Sequence, residues 1–191
     1  MIYFLLDLWI GGPEKEDNES MGMTEYRDVF TRDGVPTGES REKHAASRPG
    51  DYFLHAIDIL RCRDGRYILQ QRSLKARYYP GRWDVTGGGV DSGETPQQAG
   101  IREAREELAL EINPEDMREI YRYYADWEDG SGLILFVFGC SVDIPPHGFV
   151  MHPIEVNDVR LVSFQEFYDT VMFNKDEGFG QALREFEASF S

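Results

Sequence analysis

The segment from residue 88 to residue 110 constrains this chain of 191 residues most strongly, because the sequence itself defines where a helix starts. Thr95 is a favourable N-cap, Pro96 suits the first helical position, and Gln98 completes a capping box with Thr95. We therefore predict a helix from about residue 95 to residue 108.

This predicted helix has one apolar and one acidic face. Because successive residues of a helix are rotated by about 100°, Ile101, Ala104 and Leu108 lie on one face, which we expect to pack against the protein core. The opposite face, which we expect to be exposed, carries Glu103, Glu106 and Glu107. Glutamates at this spacing repel one another, so they indicate either a bound cation or an ordinary solvated surface. Carboxylate oxygens suit Mg²⁺ or Mn²⁺, and the preceding glycines at 87–89 would let a backbone carbonyl approach the same ion.

The complete spacing resembles the signature of the Nudix hydrolases. It runs from Gly88 through five residues to Glu94, then through seven residues to Arg102-Glu103, and ends with Glu106-Glu107 and Ala109-Leu110. The resemblance implies a metal site made by Glu103, Glu106, Glu107 and the carbonyl of Gly88. It also implies that Arg102 orients the carboxylates, that Glu94 supports the loop, and that a carboxylate such as Glu103 or Glu106 activates the attacking water.

Ala109 departs from the family pattern, which has glycine at this position. Glycine at a helix end usually adopts a left-handed conformation, and alanine in that conformation costs about 1–2 kcal/mol. The departure removes no ligand, but it leaves the path of the chain after the helix open.

The resemblance extends over residues 26–167. The runs Gln70-Gln71-Arg72-Ser73 and Pro80-Gly81-Arg82-Trp83-Asp84 are similar to the Nudix subgroup related to isopentenyl diphosphate isomerase. The implied fold belongs to the α/β class and is an α/β/α sandwich with a mixed sheet. The strands and helices that we predict fit this fold. The implied function is hydrolysis of a diphosphate joined to another group, which we expect to be a nucleotide derivative.

Two other functions remain alternatives. An isomerase needs an acid–base pair, which the isomerases that this chain resembles supply with a cysteine after the tryptophan and a metal-binding histidine shortly beyond, whereas this chain has a glycine and Val90 near those positions. A Nudix-fold module that binds ligands without turnover is disfavoured by the complete set of glutamates.

The net charge of −15 argues against binding to nucleic acids or anionic membranes. Binding of a phosphorylated small molecule would therefore require a metal ion or nearby basic side chains. A basic run before the glycines offers either a phosphate-binding rim or a solvated strand edge: Arg61, Arg63, Arg66, Arg72, Lys75, Arg77 and Arg82. Within it we expect substrate contacts from Arg72, Lys75, Arg77 and Arg82.

We predict an N-terminal extension at residues 1–22 and a single Nudix domain at residues 23–191. The apolar residues 1–10 lack a signal-peptide pattern. They form either an added strand or swapping arm, or a translated extension ahead of a start at Met21 or Met23, which we favour. Cys62 and Cys140 suggest no disulfide, which favours a reducing cytoplasm. A homodimer is compatible with the sequence.

The remaining pattern predicts strands and two further helices. Strands are expected at 25–35 with a turn at 33–34, 55–62, 67–71, 120–125, 133–142 and 159–162, with a polar connection from the first strand through residue 50. Helices are expected from a Ser163–Glu166 capping box through residue 172, and at 181–188. We expect His55 to be a core residue rather than a metal ligand, and Glu155 to be a surface residue rather than a base. Tyr121, Tyr123, Tyr124 and Trp127 are expected to pack rather than stack on a nucleobase.

Overall fold

The computed structural model describes residues 25–43, 45–76, 79–171 and 176–190. The predicted extension at residues 1–22 lies outside the described residues. The strands are β1 Tyr26–Phe30, β2 Pro36–Glu42, β3 Tyr52–Cys62, β4 Tyr67–Arg72, β5 Trp83–Asp84, β6 Thr86–Gly89, β7 Arg118–Asp126, β8 Gly132–Val142 and β9 Val156–Val162. The helices are α1 Pro96–Leu108, α2 Phe164–Thr170 and α3 Glu177–Ala188.

The sheet is organised around β3. Along its whole length β3 pairs in parallel with β8, which pairs antiparallel with β7. On its other edge β3 meets β1, β6 and β4 in turn, and all three pairs are antiparallel. β4 then continues away from β3 and pairs with β5 and β9. The sheet is therefore mixed, as predicted.

Alternate residues of β3 enter two different cores. Leu54, Ala56 and Leu60 belong to one core together with Ala104 and Leu108 of α1. Phe53, Ile57 and Ile59 belong to the other, which contains Phe167 of α2 and Phe179, Leu183 and Phe186 of α3. Because successive strand residues point to opposite faces, α1 covers one face of the sheet and α2 and α3 cover the other. The predicted α/β/α sandwich is confirmed.

The first strand prediction was incomplete, because the polar connection contains β2. This strand pairs with β1 as a two-stranded ribbon, and most of its side chains are exposed. A strand without a buried face has no apolar alternation, so the sequence pattern could not reveal it.

The helix predictions were partly wrong in their bounds. α3 begins at Glu177 and not at residue 181, with Asp176 as an N-cap whose carboxylate accepts from the Phe179 amide at 2.8 Å. The second capping box forms only in part. Ser163 accepts from the Glu166 amide, but the Glu166 carboxylate lies 3.4 Å from Arg160. No helix in the described part of the chain is long and apolar enough to cross a membrane.

Candidate active site

The start and end of α1 are fixed by local hydrogen bonds and by backbone conformation. The Thr95 hydroxyl accepts from the Gln98 amide at 3.2 Å, and the Gln98 side chain accepts from the Thr95 amide at 2.8 Å. Ala109 ends the helix in the left-handed conformation, at φ 53° and ψ 37°. The predicted capping box and helix end are confirmed, so the position of each glutamate on α1 follows from the sequence, and Ala109 takes the left-handed conformation that the sequence had left open.

The glycines of β6 allow α1 to approach the sheet closely. Gly88 pairs with Ala56 of β3. A Cβ added at Gly88 would overlap the Glu103 carboxylate, and one added at Gly87 would overlap the carbonyl oxygen of Ala56. The Glu103 carboxylate therefore lies against the backbone at Gly88, where only glycine leaves room for it.

The prediction of an exposed acidic face was wrong for two of the three glutamates. Glu103 and Glu107 are only 8% and 7% exposed, whereas Glu106 is exposed. The prediction assumed that α1 buries one side only. In the structure β6 and β4 also cover the acidic side, because the glycines present no side chains there.

Glu107 is held by neutral hydrogen-bond donors. Its Oε2 accepts from Gln70 Nε2 at 2.9 Å and from the Gly87 amide at 3.3 Å. Burial raises the pKa of Glu107 well above its ordinary value, and the negative charges of Glu103 and Glu155 raise it further. The two hydrogen bonds oppose this shift without cancelling it. Glu107 is thus a buried carboxyl group that no described cation neutralises.

Arg102 connects the other acidic groups. Its guanidinium donates to Glu94 Oε1 at 2.9 Å, to Glu103 Oε1 at 2.7 Å, to Glu106 Oε2 at 3.2 Å and to the Gly89 carbonyl at 2.9 Å. Glu94 Oε2 also accepts from the Asp91 amide at 3.2 Å. The structure therefore brings together Arg102 and Glu94, the residues expected to orient the carboxylates and support the loop.

The donor set has the chemistry that a hard divalent cation requires. Within the described ranges, no three acidic, histidine or cysteine side chains already converge as a complete cation cage. Each of the three glutamates uses one oxygen for hydrogen bonds to Arg102, or to Gln70 and Gly87. No hydrogen bond from another described residue reaches the second oxygen of Glu103, Glu106 or Glu107. These second oxygens, on one helix beside the Gly88 backbone, fit a magnesium or manganese ion in donor type.

The basic run divides into two groups. Arg61, Arg63 and Arg66 lie at the β3–β4 turn and pair with Glu187, Asp143 and Asp64 at 2.6–2.8 Å. For these three residues the structure favours the alternative of a solvated strand edge, because each already has a carboxylate partner.

The other group lies at the opposite end of β4. The Arg72 amide donates to the Arg82 carbonyl at 2.9 Å, and Lys75 follows in the next turn. Burial raises the pKa of Asp84, while the positive charges of Arg72 and Arg82 act to lower it. Asp84 is the strand partner of Gln70, and Gln70 donates to Glu107, so the carboxyl group on which both arginines act neighbours a residue that binds Glu107. Arg77 lies outside the described residues.

Several single candidates have clear surroundings. His55 is buried, and burial together with nearby Lys43, Arg27 and Arg72 lowers its pKa to about 3, so it is neutral. Tyr121, Tyr123 and Trp127 pack against the core under α2 and α3, as expected, while Tyr124 is 37% exposed. Glu155 is largely exposed, yet its charge acts on Glu107, and its carbonyl accepts from the Ser73 amide at 2.8 Å.

Sequence reasoning missed Asp28 and Lys43, which reach the loop before α1 from the β1–β2 ribbon. Asp28 accepts from the Ser92 hydroxyl at 2.6 Å and from the Gly93 amide at 3.0 Å. Lys43 lies 3.8 Å from Asp91. No motif marks either residue, because the contacts depend on the fold.

Comparison with known proteins agrees with this geometry. The family model of the NUDIX domain matches residues 53–186. The chain belongs to the Nudix family of hydrolases. It is 35% identical over 129 residues to a Nudix hydrolase of Pseudomonas aeruginosa, covering 67% of this chain and 69% of that protein.

Other relatives share less sequence. A Nudix hydrolase of Listeria monocytogenes is 26% identical over 140 residues, covering 73% of this chain and 80% of that protein. Nudix hydrolase 3 of Arabidopsis thaliana is 26% identical over 153 residues, which cover 75% of this chain and only 20% of that protein. This chain thus spans about one fifth of the length of that plant protein. These matches show the family but not the subgroup related to isopentenyl diphosphate isomerase.

Two solved structures share the fold. A Deinococcus radiodurans crystal structure has a TM-score of 0.61 at 22% identity, covering 76% of this chain and 87% of that one. A MutT protein from Methanosarcina mazei has a TM-score of 0.56 at 21% identity, covering 76% of this chain and 98% of that one. At this identity the likeness concerns the fold alone.

Proposed function

We propose that the chain is a magnesium-dependent hydrolase, with manganese as an alternative ion, that cleaves the diphosphate linkage of a nucleoside diphosphate derivative. The observation that carries this proposal is the pair of buried carboxylates, Glu103 and Glu107, beside the glycine backbone of β6. Two like-charged groups in this position are costly unless a cation or protons neutralise them.

Glu103, Glu106, Glu107 and the Gly88 carbonyl would hold the metal. When bound, the metal would neutralise the diphosphate and favour the ionised form of the attacking water. Arg102 keeps Glu103 and Glu106 oriented, and Glu94 holds Arg102. Gln70 and Gly87 fix the carboxylate of Glu107. Glu103 or Glu106 would accept the proton of the attacking water, as the family signature implies.

Arg72, Lys75, Arg77 and Arg82 would bind phosphate oxygens of the substrate. The reaction adds water across the P–O–P linkage. The oxygen of the water molecule forms a new bond to phosphorus, and the bridging P–O bond breaks. Two products that each end in a phosphate result. Local cations are necessary because the chain carries a net charge of −15, which would otherwise repel a diphosphate.

A named relative supports a nucleotide as the substrate. A relative in Escherichia coli, 37% identical over 87 residues, is named nucleoside triphosphatase NudI. Nucleoside triphosphates therefore belong in the substrate set. The isomerase alternative has no support in the observed site, and the subgroup assignment behind it stays a prediction. We also propose a reducing cytoplasmic location, because Cys62 and Cys140 are both buried free thiols. A homodimer stays a prediction.

A panel of nucleoside diphosphate derivatives and nucleoside triphosphates, incubated with and without Mg²⁺, tests the proposal. For substrates without a terminal phosphate, added phosphatase would release measurable phosphate only from the products, and chromatography would identify the products of the others. Reaction in ¹⁸O-water would place the label in one product phosphate. Isopentenyl diphosphate belongs in the same panel, with the expected result that no dimethylallyl diphosphate forms. Isomerised product without cleavage of any diphosphate would overturn the assignment, and binding without turnover of every compound would favour the non-catalytic module.

A further inference from the structure

The β1–β2 ribbon lies ahead of the segment that matches the NUDIX domain, which begins at residue 53. It nevertheless contacts the loop at 91–94, which leads into α1. Asp28 Oδ1 accepts from the Ser92 hydroxyl at 2.6 Å, and Asp28 Oδ2 accepts from the Gly93 amide at 3.0 Å. The Tyr26 carbonyl accepts from the Ser92 amide at 2.7 Å. Three hydrogen bonds therefore hold two consecutive loop residues.

The residues held by Asp28 lie directly beside Glu94. Glu94 accepts from the Asp91 amide through its side chain, and its own amide donates to the Asp91 carbonyl at 3.0 Å, so the loop is closed on itself. The Glu94 carboxylate then accepts from two nitrogens of Arg102, at 2.9 and 3.1 Å. Because Arg102 also holds Glu103 and Glu106, a displacement of residues 92–94 would be transmitted to the carboxylates of α1.

A second contact from the ribbon reaches the same loop. The ammonium group of Lys43 lies 2.6 Å from Glu25 and 3.8 Å from Asp91, and Asp91 in turn lies 3.7 Å from Arg102. The Lys43 amide also donates to the Glu25 carbonyl at 2.9 Å, which closes the end of the ribbon. Both strands of the ribbon therefore contact the Glu94 loop from the same end, the one remote from the turn at 31–35.

We propose that Asp28 is a positioning residue of the active site, assisted by Lys43, and that the β1–β2 ribbon is part of the functional unit. This inference rests on the proposed function. Asp28 touches no reacting group. It acts through Ser92 and Gly93, which fix Glu94, which fixes Arg102 and thereby the proposed metal ligands. Residues that support metal ligands in this indirect way typically alter metal affinity or activity by about 10- to 100-fold.

The test compares Asp28→Ala and Asp28→Asn in the full chain with Glu39→Ala. Glu39 lies on the same ribbon, its replacement by alanine removes the same charge, and among the described residues its side chain, which is 60% exposed, pairs with Arg41 of its own strand. Asparagine retains one acceptor oxygen, so Asp28→Asn should fall between Asp28→Ala and the wild type. Ser92→Ala, alone and combined with Asp28→Ala, measures the coupling between the two residues.

Three measurements separate positioning from general stability. Amide hydrogen exchange of Gly93 and Glu94 in metal-free protein should be about tenfold faster in Asp28→Ala and unchanged in Glu39→Ala. Calorimetric titration should show about 10- to 100-fold weaker Mg²⁺ binding for Asp28→Ala. Turnover should fall at limiting Mg²⁺ and recover largely in excess Mg²⁺, because no reacting group is lost. The Asp28→Ala and Ser92→Ala effects should be less than additive when combined.

The result that overturns the proposal is equal exchange at Gly93 and equal Mg²⁺ affinity in Asp28→Ala and Glu39→Ala. A lower unfolding temperature of Asp28→Ala with an unchanged Mg²⁺ midpoint would also overturn it, because that outcome indicates a purely structural role. If the wild-type chain binds no Mg²⁺ and cleaves no diphosphate, the proposed function fails. The exchange comparison would then decide separately whether Asp28 orders the loop.

Discussion

The exchange of Glu107 for glutamine should affect stability in opposite directions with and without magnesium. Glu107 is 7% exposed and accepts hydrogen bonds from Gln70 and from the Gly87 amide. Glutamine has nearly the same size and retains one acceptor oxygen, but it carries no negative charge. The substitution therefore removes the buried charge and one potential metal ligand while it leaves the packing of α1 nearly unchanged.

The effect without metal follows from the pKa of Glu107. Burial raises this pKa well above the ordinary value, so the folded chain retains a proton at pH values where the unfolded chain has released it. Stability is then highest below the unfolded pKa and falls by about 1.4 kcal/mol per pH unit until the folded pKa is reached, above which the loss is constant. The Glu107→Gln variant does not undergo this loss of stability, because its side chain does not titrate. In the presence of a chelator at neutral pH, we expect the variant to be more stable by about 1–3 kcal/mol.

With magnesium present, we expect the wild type to be more stable than the Glu107→Gln variant. A ligand at 100 times its dissociation constant stabilises the protein that binds it by about 2.7 kcal/mol, and only the wild type has the complete set of carboxylates. Turnover by the variant should fall more than about 100-fold, since a proposed metal ligand is lost. Urea unfolding with EDTA and with Mg²⁺, at about pH 5 and about pH 8, measures both effects. Glu111→Gln, an exposed change just beyond α1, is the control and should be neutral throughout.

Two results would refute this reasoning. A clear loss of stability in EDTA would mean that the ionised carboxylate is a structural acceptor that the Gln70 and Gly87 donors need. Unchanged turnover at saturating Mg²⁺ would remove Glu107 from the proposed site.

Three further substitutions test separate parts of the structure. Ala109→Gly should stabilise the chain by about 0.5–1 kcal/mol in urea unfolding, because residue 109 has φ 53°, whereas a loss would contradict the left-handed helix end. Gly88→Ala should displace the Glu103 carboxylate and weaken Mg²⁺ binding in calorimetry, because the added Cβ would overlap that group; normal affinity would exclude the close approach. Burial raises the pKa of Asp58 to about 8, so wild-type stability should fall as pH rises from the unfolded pKa of about 3.9 towards 8. Asp58→Asn should flatten that fall and be more stable than the wild type at pH 8, and parallel pH profiles would show that Asp58 is ionised in the fold.

The parts of the site that the sequence predicted correctly depend on neighbouring residues along the chain. Thr95 and Gln98 cap α1 within one helical turn, and the helix ends at Leu108, as predicted. These two points fix the angular position of Glu103, Glu106 and Glu107. The burial of Glu103 and Glu107 was not predictable in the same way, because it depends on β6 and β4 covering the acidic side of the helix.

The β1–β2 ribbon shows a second reason for incomplete prediction. Periodicity reveals a strand only when one of its faces is buried, and most side chains of β2 are exposed. Asp28 was equally hidden, because its hydrogen bonds connect it with residues 64 and 65 positions further along the chain. Contacts of that separation become visible only when the fold places the ribbon beside the Glu94 loop.

The basic run shows that closeness in sequence is a poor guide to a shared site when a hairpin intervenes. Arg66 precedes β4 and Arg72 ends it, so six steps along an extended strand separate their backbones by about 20 Å. The arginines at the turn have acidic partners of their own, whereas Arg72 and Arg82 lie beside Asp84 and Gln70. We therefore expect the second group rather than the first to act on a phosphate near α1, since screening in salt reduces attraction beyond about 8–10 Å. In a chain with a net charge of −15, the affinity for a diphosphate should therefore depend on these few residues rather than on the overall number of basic side chains.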